Sequence, residues 1–287
     1  MRRVKFATRI LLNYGCDKNC PFCQSTNTYL IARKDVILQL RRCKLCGLMF
    51  RWPKEDPAFS ERFYQDSYQE IGTTELPDPV TLKTFIANNF AGSPRNIADQ
   101  IGVIKTFLPQ GRVLDFGCSW GYGVYQLKRA GYDAFGFDIS RPRAELGRRE
   151  LGVEILDKLE DLQQIPSQSV DGVFACHVLE HLLSLKEIFE FFARILKPGG
   201  VVYIMAPNSG CKKAREIGVR WQSMINEKHT LALDGKFFEL NMAPFGFDVW
   251  SFSDTQDATA IRTTLDRKDR LSTEGEELRV IGRRYAH

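Results

Sequence analysis

The sequence predicts an α/β protein: a mostly parallel sheet of seven strands with helices on both faces, preceded by a small cysteine-rich module. Three observations predict it. Residues Arg112 to Gly123 read Arg-Val-Leu-Asp-Phe-Gly-Cys-Ser-Trp-Gly-Tyr-Gly, an apolar run ending in an acid, then a small-residue turn, then helix-forming sequence. Short apolar runs go on alternating with helical patterns to residue 283, the order that builds parallel sheets. Ahead of both, Cys20-Pro-Phe-Cys23 and Cys43-Lys-Leu-Cys46 form a C-x2-C-x19-C-x2-C pattern.

Composition bounds what this fold can serve. A chain of 287 residues holds one sizeable core plus a small appendage, and 44% hydrophobic with 26% charged residues is ordinary for a soluble globular protein. The net charge of +5, spread along the chain, is too mild to imply nucleic acid by itself. No apolar run approaches the ~20 residues that span a bilayer. Arg9 and Asn13 interrupt any apolar stretch behind the basic N-terminus, which argues against a signal peptide. Eight cysteines, four of them in C-x-x-C pairs, point to metal binding in a reducing compartment, so the chain reads as cytoplasmic.

In chain order, the paired knuckles come first. Their spacing suits a zinc ion held by Cys20, Cys23, Cys43 and Cys46, and four thiolates leave no open position, so such a zinc is structural. Coincidental spacing or a disulfide is the alternative; Cys16, separated from Cys20 by three residues, breaks the knuckle pattern. Phe63, Tyr64 and Tyr68 lie in a polar stretch that leads to Pro77, Pro79, Gly92 and Pro94, a loop-rich junction. The expected division is therefore a metal module at 14–53, a linker at 54–93 and the α/β domain at 94–287. Ile97, Ile101, Ile104 and Leu108 recur at helical spacing and lead into the central strand.

After that strand, Gly117, Gly121 and Gly123 let backbone approach a ligand at the carboxyl end of the sheet. Asp115 helps to separate two cofactor classes. A carboxylate before the turn repels a dinucleotide pyrophosphate but attracts the ammonium and sulfonium of S-adenosylmethionine (SAM). A second strand ends at Asp138, 23 residues beyond Asp115 and close to the ~20-residue offset at which an acid meets ribose hydroxyls. Helix capping with Ser140 is its other reading. Val153 to Leu156, Val170 to Ala175 and Val201 to Ala206 are further strands, then Asp248 to Phe252 and Glu277 to Arg283. Helices are expected at Leu182 to Leu196, stopped by Lys197-Pro198-Gly199-Gly200, and within Phe237 to Phe247.

Three motifs keep the order and spacing of one family. Residues 112–123 resemble the first motif of class I SAM-dependent methyltransferases, Leu179-Glu180-His181 the Leu-Glu-His motif after their fourth strand, and Leu196 to Gly200 the run before their fifth. The cysteine module, continued by Gly47, Met49, Phe50 and Pro53, is similar to zinc ribbons that precede such domains in some bacterial enzymes of sugar and natural-product modification. The resemblance implies a Rossmann-like sheet. It also implies SAM contacts at Asp115, Phe116, Gly117, Cys118, Gly121, Asp138, Ile139, Cys176 and His177. The acid that meets adenine in this family aligns with Lys158, leaving Asp157 or backbone, with Leu159 beside it.

Insertions after the fifth strand build the acceptor pocket in such enzymes. Here that is Ser209 to Leu233, carrying Lys212, Lys213, Arg215 and Arg220 with few acids of its own. The expectation is a small, anionic acceptor such as an activated sugar, with His181 and His229 as proton acceptors near neutral pH. The alternative is macromolecular. Lys18, Arg33, Lys34, Arg41, Arg42 and Lys44, interleaved with Phe22, Tyr29 and Phe50, suit a ribbon that binds RNA or protein for methylation.

Overall fold

The structure is a computed structural model that describes residues 6, 8, 10–56, 75–253, 261, 263 and 271–286. Phe63, Tyr64 and Tyr68 lie outside the described residues, as does most of 254–270.

The cysteine module contributes β1 (Thr28–Lys34), β2 (Leu38–Cys43) and β3 (Met49–Trp52), paired antiparallel in that order. The main sheet follows with β4 (Arg112–Phe116), β5 (Asp133–Phe137), β6 (Ile155–Leu156), β7 (Val170–Cys176) and β8 (Leu196–Pro207). A short β9 (Leu231–Ala232) leaves this sheet before β10 (Phe247–Phe252) and β11 (Glu277–Arg284) complete it. The order is β10-β11-β8-β7-β4-β5-β6, parallel from β8 to β6, with β11 antiparallel between β8 and β10. All seven expected strands are present.

Alternation along the strands sends side chains into two cores. On β4, Leu114 and Phe116 join Phe189 and Phe192 of the helix Lys186–Ile195, whereas Val113 faces Ile101, Ile104, Val124 and Leu127 of the helices Ala98–Phe107 and Tyr122–Arg129. Strand β8 repeats this, with Val202, Ile204 and Ala206 on one side and Val201, Tyr203 and Met205 on the other. The chain winds outward from β4 to β6, then returns to place β7 on the other flank of β4. This makes a switch point between β4 and β7, and open α/β sheets bind ligands outside the carboxyl ends of the strands at such a point.

Two boundaries differ from the sequence pattern. The helix expected from Leu182 starts at Lys186, preceded by a single 3-10 turn at Leu179–His181, so His177 and His181 do not share a helix face. The Lys197 to Gly200 stop signal is contained in the long β8. A register shift against β7 accommodates it there, and Lys197 Nζ pairs with Asp171 at 2.8 Å.

The cysteine module shares the core of the main domain. Phe22 packs edge-on against Phe189 at 5.8 Å and Phe237 at 5.3 Å, and Asn241 Nδ2 donates to the Cys46 carbonyl at 2.8 Å. Strand β9, from the insertion after β8, pairs with β3 through Met49–Ala232 and Phe50–Leu231. Inside the expected linker, a helix at Pro79–Ala87 is capped by Asp78, whose carboxylate accepts from the Val80 and Thr81 N–H groups. Its Leu82 packs with Phe90 and Trp120 of the Gly-rich turn.

Candidate active site

Strand β4 ends at a turn that only glycine fits. Gly117 has φ +80°, and a Cβ there would stand 1.9 Å from Val178 Cγ2, so the turn lies directly against the loop after β7. Gly123 lacks a Cβ for another reason: the Asp115 carboxylate occupies that space, 2.4 Å from where a Cβ would be. Asp115 is thus buried against the start of the helix Tyr122–Arg129, with no salt-bridge partner among the described residues. Burial, reinforced by the Asp138 charge, pushes its carboxyl up to about 8. Burial also raises Asp138, opposed by N–H groups and by Arg143. Asp138 Oδ2 accepts from Ser119 N at 2.7 Å and Oδ1 from Ser140 N at 2.8 Å, so it ties the Gly-rich turn to the end of β5 and braces the next helix.

One buried and one half-buried carboxylate at the same turn suit a ligand that brings positive charge. SAM fits this donor set and a pyrophosphate does not. The other expected contacts are less uniform. Phe116 turns its ring into the core against Phe137 and Phe192, leaving only backbone for the crevice. Asp157 is held by Arg148 Nη2 at 2.8 Å, and Leu159 is exposed at the start of the next helix. Ile139 is partly buried against the core. Burial keeps the Cys118 and Cys176 thiols protonated, well above their usual range.

Across the crevice, His177 adopts a left-handed φ of 53° and sets its ring between two acids: Nδ1 is 3.4 Å from Glu180 Oε1 and Nε2 is 3.2 Å from Glu277 Oε2. Burial alone would lower this imidazole, but the two carboxylates carry it up to about 10. His181 behaves oppositely, because burial lowers it to about 4 despite Glu180 nearby, leaving it neutral at pH 7 and a weak base. The insertion does reach this wall. His229 packs edge-on to His181 with ring centroids 4.8 Å apart, and Thr230 N donates to the Glu180 carbonyl at 2.9 Å.

The ribbon positions that loop. Arg51 of β3 is fully buried and donates from Nη1 to the Asn226 and Glu227 carbonyls at 3.0 and 3.2 Å, while Asn226 Oδ1 accepts from the Lys228 and His229 N–H groups. Neither Arg51 nor Glu277 stood out in the sequence. Both act across more than 90 residues of chain, and no local pattern marks such a partner.

The cationic run of the insertion is largely neutralised, contrary to expectation. Lys213 pairs with Glu276 at 2.8 Å, Arg215 with Glu274, and Lys212 lies 3.9 Å from Glu216. The first two acids arrive from the segment before β11. In the ribbon, Phe22 and Phe50 are buried, Arg41 bonds Thr28 and Gln39, and Lys34 bonds the Ile225 carbonyl, whereas Lys18, Tyr29, Arg33 and Lys44 stay exposed.

The four cysteines converge. Their sulfurs all lie within 4.8 Å of one another, with Cys20–Cys46 at 3.4 Å and Cys23–Cys43 at 3.5 Å. A tetrahedral ion with Zn–S bonds of ~2.3 Å needs sulfur–sulfur edges of roughly 3.8 Å. The set fits with small adjustments.

Residues 83–252, more than half of the chain, match the methyltransferase domain family. The chain belongs to that family. Its sheet order and Gly-rich turn are those of the class I SAM-dependent superfamily. It is 33% identical over 134 residues to an S-adenosyl-L-methionine-dependent Diels-Alderase of Talaromyces variabilis, covering 42% of this chain and 46% of that protein. With a ubiquinone biosynthesis O-methyltransferase of Paracidovorax citrulli it shares 29% identity over 198 residues, 65% of this chain and 76% of the relative. The fold matches that of a SAM-dependent methyltransferase from Archaeoglobus fulgidus with a TM-score of 0.50 at 18% identity, over 72% of this chain and all of the other. The family match begins at residue 83, inside the expected linker, and leaves the cysteine module outside it.

Proposed function

We propose that the chain transfers a methyl group from SAM to a small-molecule acceptor bound between the 209–233 insertion and the loop after β7. The observation that carries this reading is the pair of acids, buried Asp115 and half-buried Asp138, beside a Gly-rich turn at the switch point. When bound, SAM supplies an electrophilic methyl group. Asp115 meets its positive charge and Asp138 its ribose hydroxyls, with Gly117, Cys118 and Gly121 offering backbone. The wall of His177, Glu180, His181 and His229 faces the acceptor. Neutral His181 accepts a hydrogen bond from an acceptor hydroxyl, and most of the acceleration comes from holding both reactants in near-attack geometry. Small-molecule relatives support this choice of acceptor. An anionic acceptor such as an activated sugar is the finer proposal, now without the support of the paired cations.

We further propose that Cys20, Cys23, Cys43 and Cys46 hold a structural zinc. A metal-binding cysteine set of this kind suits a reducing, cytoplasmic setting, which is part of the proposal. Among the described residues no helix is long and apolar enough to cross a membrane.

Isotope-labelled SAM tests the reading. Incubated with panels of phenols, hydroxy acids, nucleotide-sugars, RNA and protein, the chain is expected to label a small molecule, and RNA-only or protein-only labelling would replace the acceptor claim with the macromolecular one. A chain that binds SAM and labels none of these would overturn the methyl-transfer reading. Full turnover by both His181→Ala and His229→Ala would remove any proton-accepting role from the two histidines.

A further inference from the structure

We propose that the cavity between the cysteine module, the 209–233 insertion and β10 is a docking groove for an extended, basic peptide, which adds to β10 as a further strand. The cavity measures about 1550 Å³ and shares no lining residue with the Gly-rich turn or with the loop after β7. Pockets for small ligands run to about 300–1000 Å³, so this one suits a longer chain.

Strand β10 supplies the binding edge. It is the outermost strand of the main sheet and, among the described residues, pairs only with β11. Four consecutive residues of it, Asp248 to Ser251, line the cavity. A strand face contributes alternate residues, so an unbroken run of four means that the open edge itself looks into the space. That edge carries backbone N–H and C=O groups at regular intervals, and an extended peptide is the ligand whose own polar groups recur at the same spacing. The six residues of β10 match a peptide segment of ~20 Å.

The opposite wall is one face of the ribbon sheet. Tyr29 pairs with Arg42 and Arg42 with Met49, while Ala32 pairs with Leu40 two residues before Arg42, so these five side chains share a face, and all five line the cavity. This wall meets the side chains of the peptide, as β10 meets its backbone. Strand β1 is also outermost in its sheet, but a register shift between Leu30 and Ala32 breaks its edge and leaves β10 as the continuous template. Ser209 lines the cavity as well. It is only 7% exposed, and its hydroxyl has no hydrogen-bond partner among the described residues. A buried hydroxyl left this way is costly until a ligand or water completes it, and a peptide carbonyl does so.

Charge sets the class of peptide. Arg42 pairs with Asp234 at 3.7 Å and Arg215 with Glu274, which cancels both cations of the wall. The remaining charged groups of the lining are Lys236, Glu239 and Asp248, all exposed and none of them ion-paired among the described residues, so carboxylates outnumber the ammonium. A basic side chain is favoured there. The inference goes beyond the methyl-transfer reading and does not depend on it.

Hydrogen exchange on the full-length chain tests it. The probes are two pools of random hexapeptides, one with a fixed lysine and one with a fixed glutamate, and a lysine pool N-methylated at every amide. The lysine pool is expected to slow exchange at β10, to bind about 2–5-fold tighter than the glutamate pool, the margin of one exposed ion pair, and to lose its effect when N-methylated. Asp248→Lys reverses the preference between the pools, and Ser209→Ala lowers affinity about 2–10-fold. Exchange at β10 that neither pool changes overturns the proposal, as does a glutamate pool that binds as tightly as the lysine pool. Equal protection by the N-methylated pool overturns it too, because the groove would then hold side chains and not an added strand. Protection that rises with protein concentration in the absence of peptide gives the edge to a second copy of the chain and likewise overturns it.

Discussion

At the scale of single residues, Asp115 makes the crevice pH-sensitive. Its folded value of about 8 stands above the unfolded value of about 3.9, so between those limits the folded state keeps a proton that the unfolded state has lost. Its contribution to stability therefore falls as pH rises from about 4 to about 8. A cationic ligand favours the ionised form, so SAM affinity is expected to climb toward pH 8 and binding at pH 7 to release protons. Calorimetry in two buffers of different ionisation heat reads this directly, and Asp115→Asn should remove the buffer dependence; a wild type without that dependence would refute the assignment. Asp115→Ala and Asp138→Ala should each weaken SAM by about 1.5–3 kcal/mol, loss of a charged acceptor. Gly117 offers a stability test. Gly117→Ala should cost about 1–3 kcal/mol, part backbone strain at positive φ and part collision with Val178, and adding Val178→Ala should restore only the collision part. Equal urea midpoints for wild type and Gly117→Ala would sink this account.

At the scale of elements, the ribbon and the insertion depend on each other. Strand β9 completes the ribbon sheet, and Arg51 of β3 holds the loop that presents His229. Chelating the zinc should therefore raise amide exchange at β1–β3 and also at Asn226 to Ala232, while β4 stays protected. Exchange confined to the ribbon would show that the loop stands without it. Arg51→Lys keeps the charge but loses the planar fork that reaches two carbonyls, so the same loop should loosen with the zinc still bound.

At the scale of the whole molecule, one core runs from Cys20 and Phe22 through Phe189 to Phe237 and into the main sheet. With metal bound, such a chain should unfold in a single calorimetric transition, and Phe22→Ala should lower that whole transition by removing about 3–5 kcal/mol of buried ring packing. Two separated transitions would make the ribbon an independent unit, as the expected 14–53 boundary suggests.

The strands, the Gly-rich turn, Asp115, Asp138 and the cysteine knuckles were legible in the sequence because each is a local pattern: alternation, a residue-specific turn or a fixed ligand spacing. What the sequence by itself determined is thus the fold class and the places along the chain where the glycines, acids and paired cysteines of the proposed sites lie. Only the tertiary structure decided which of these places meet. Glu274 and Glu276 neutralise a basic run some 60 residues away, and His229 joins Glu180 and His181 because Arg51, from a different module, fixes its loop. Those contacts are set by the packing of distant segments, where charge and burial depend on what faces a side chain and not on its neighbours in the chain.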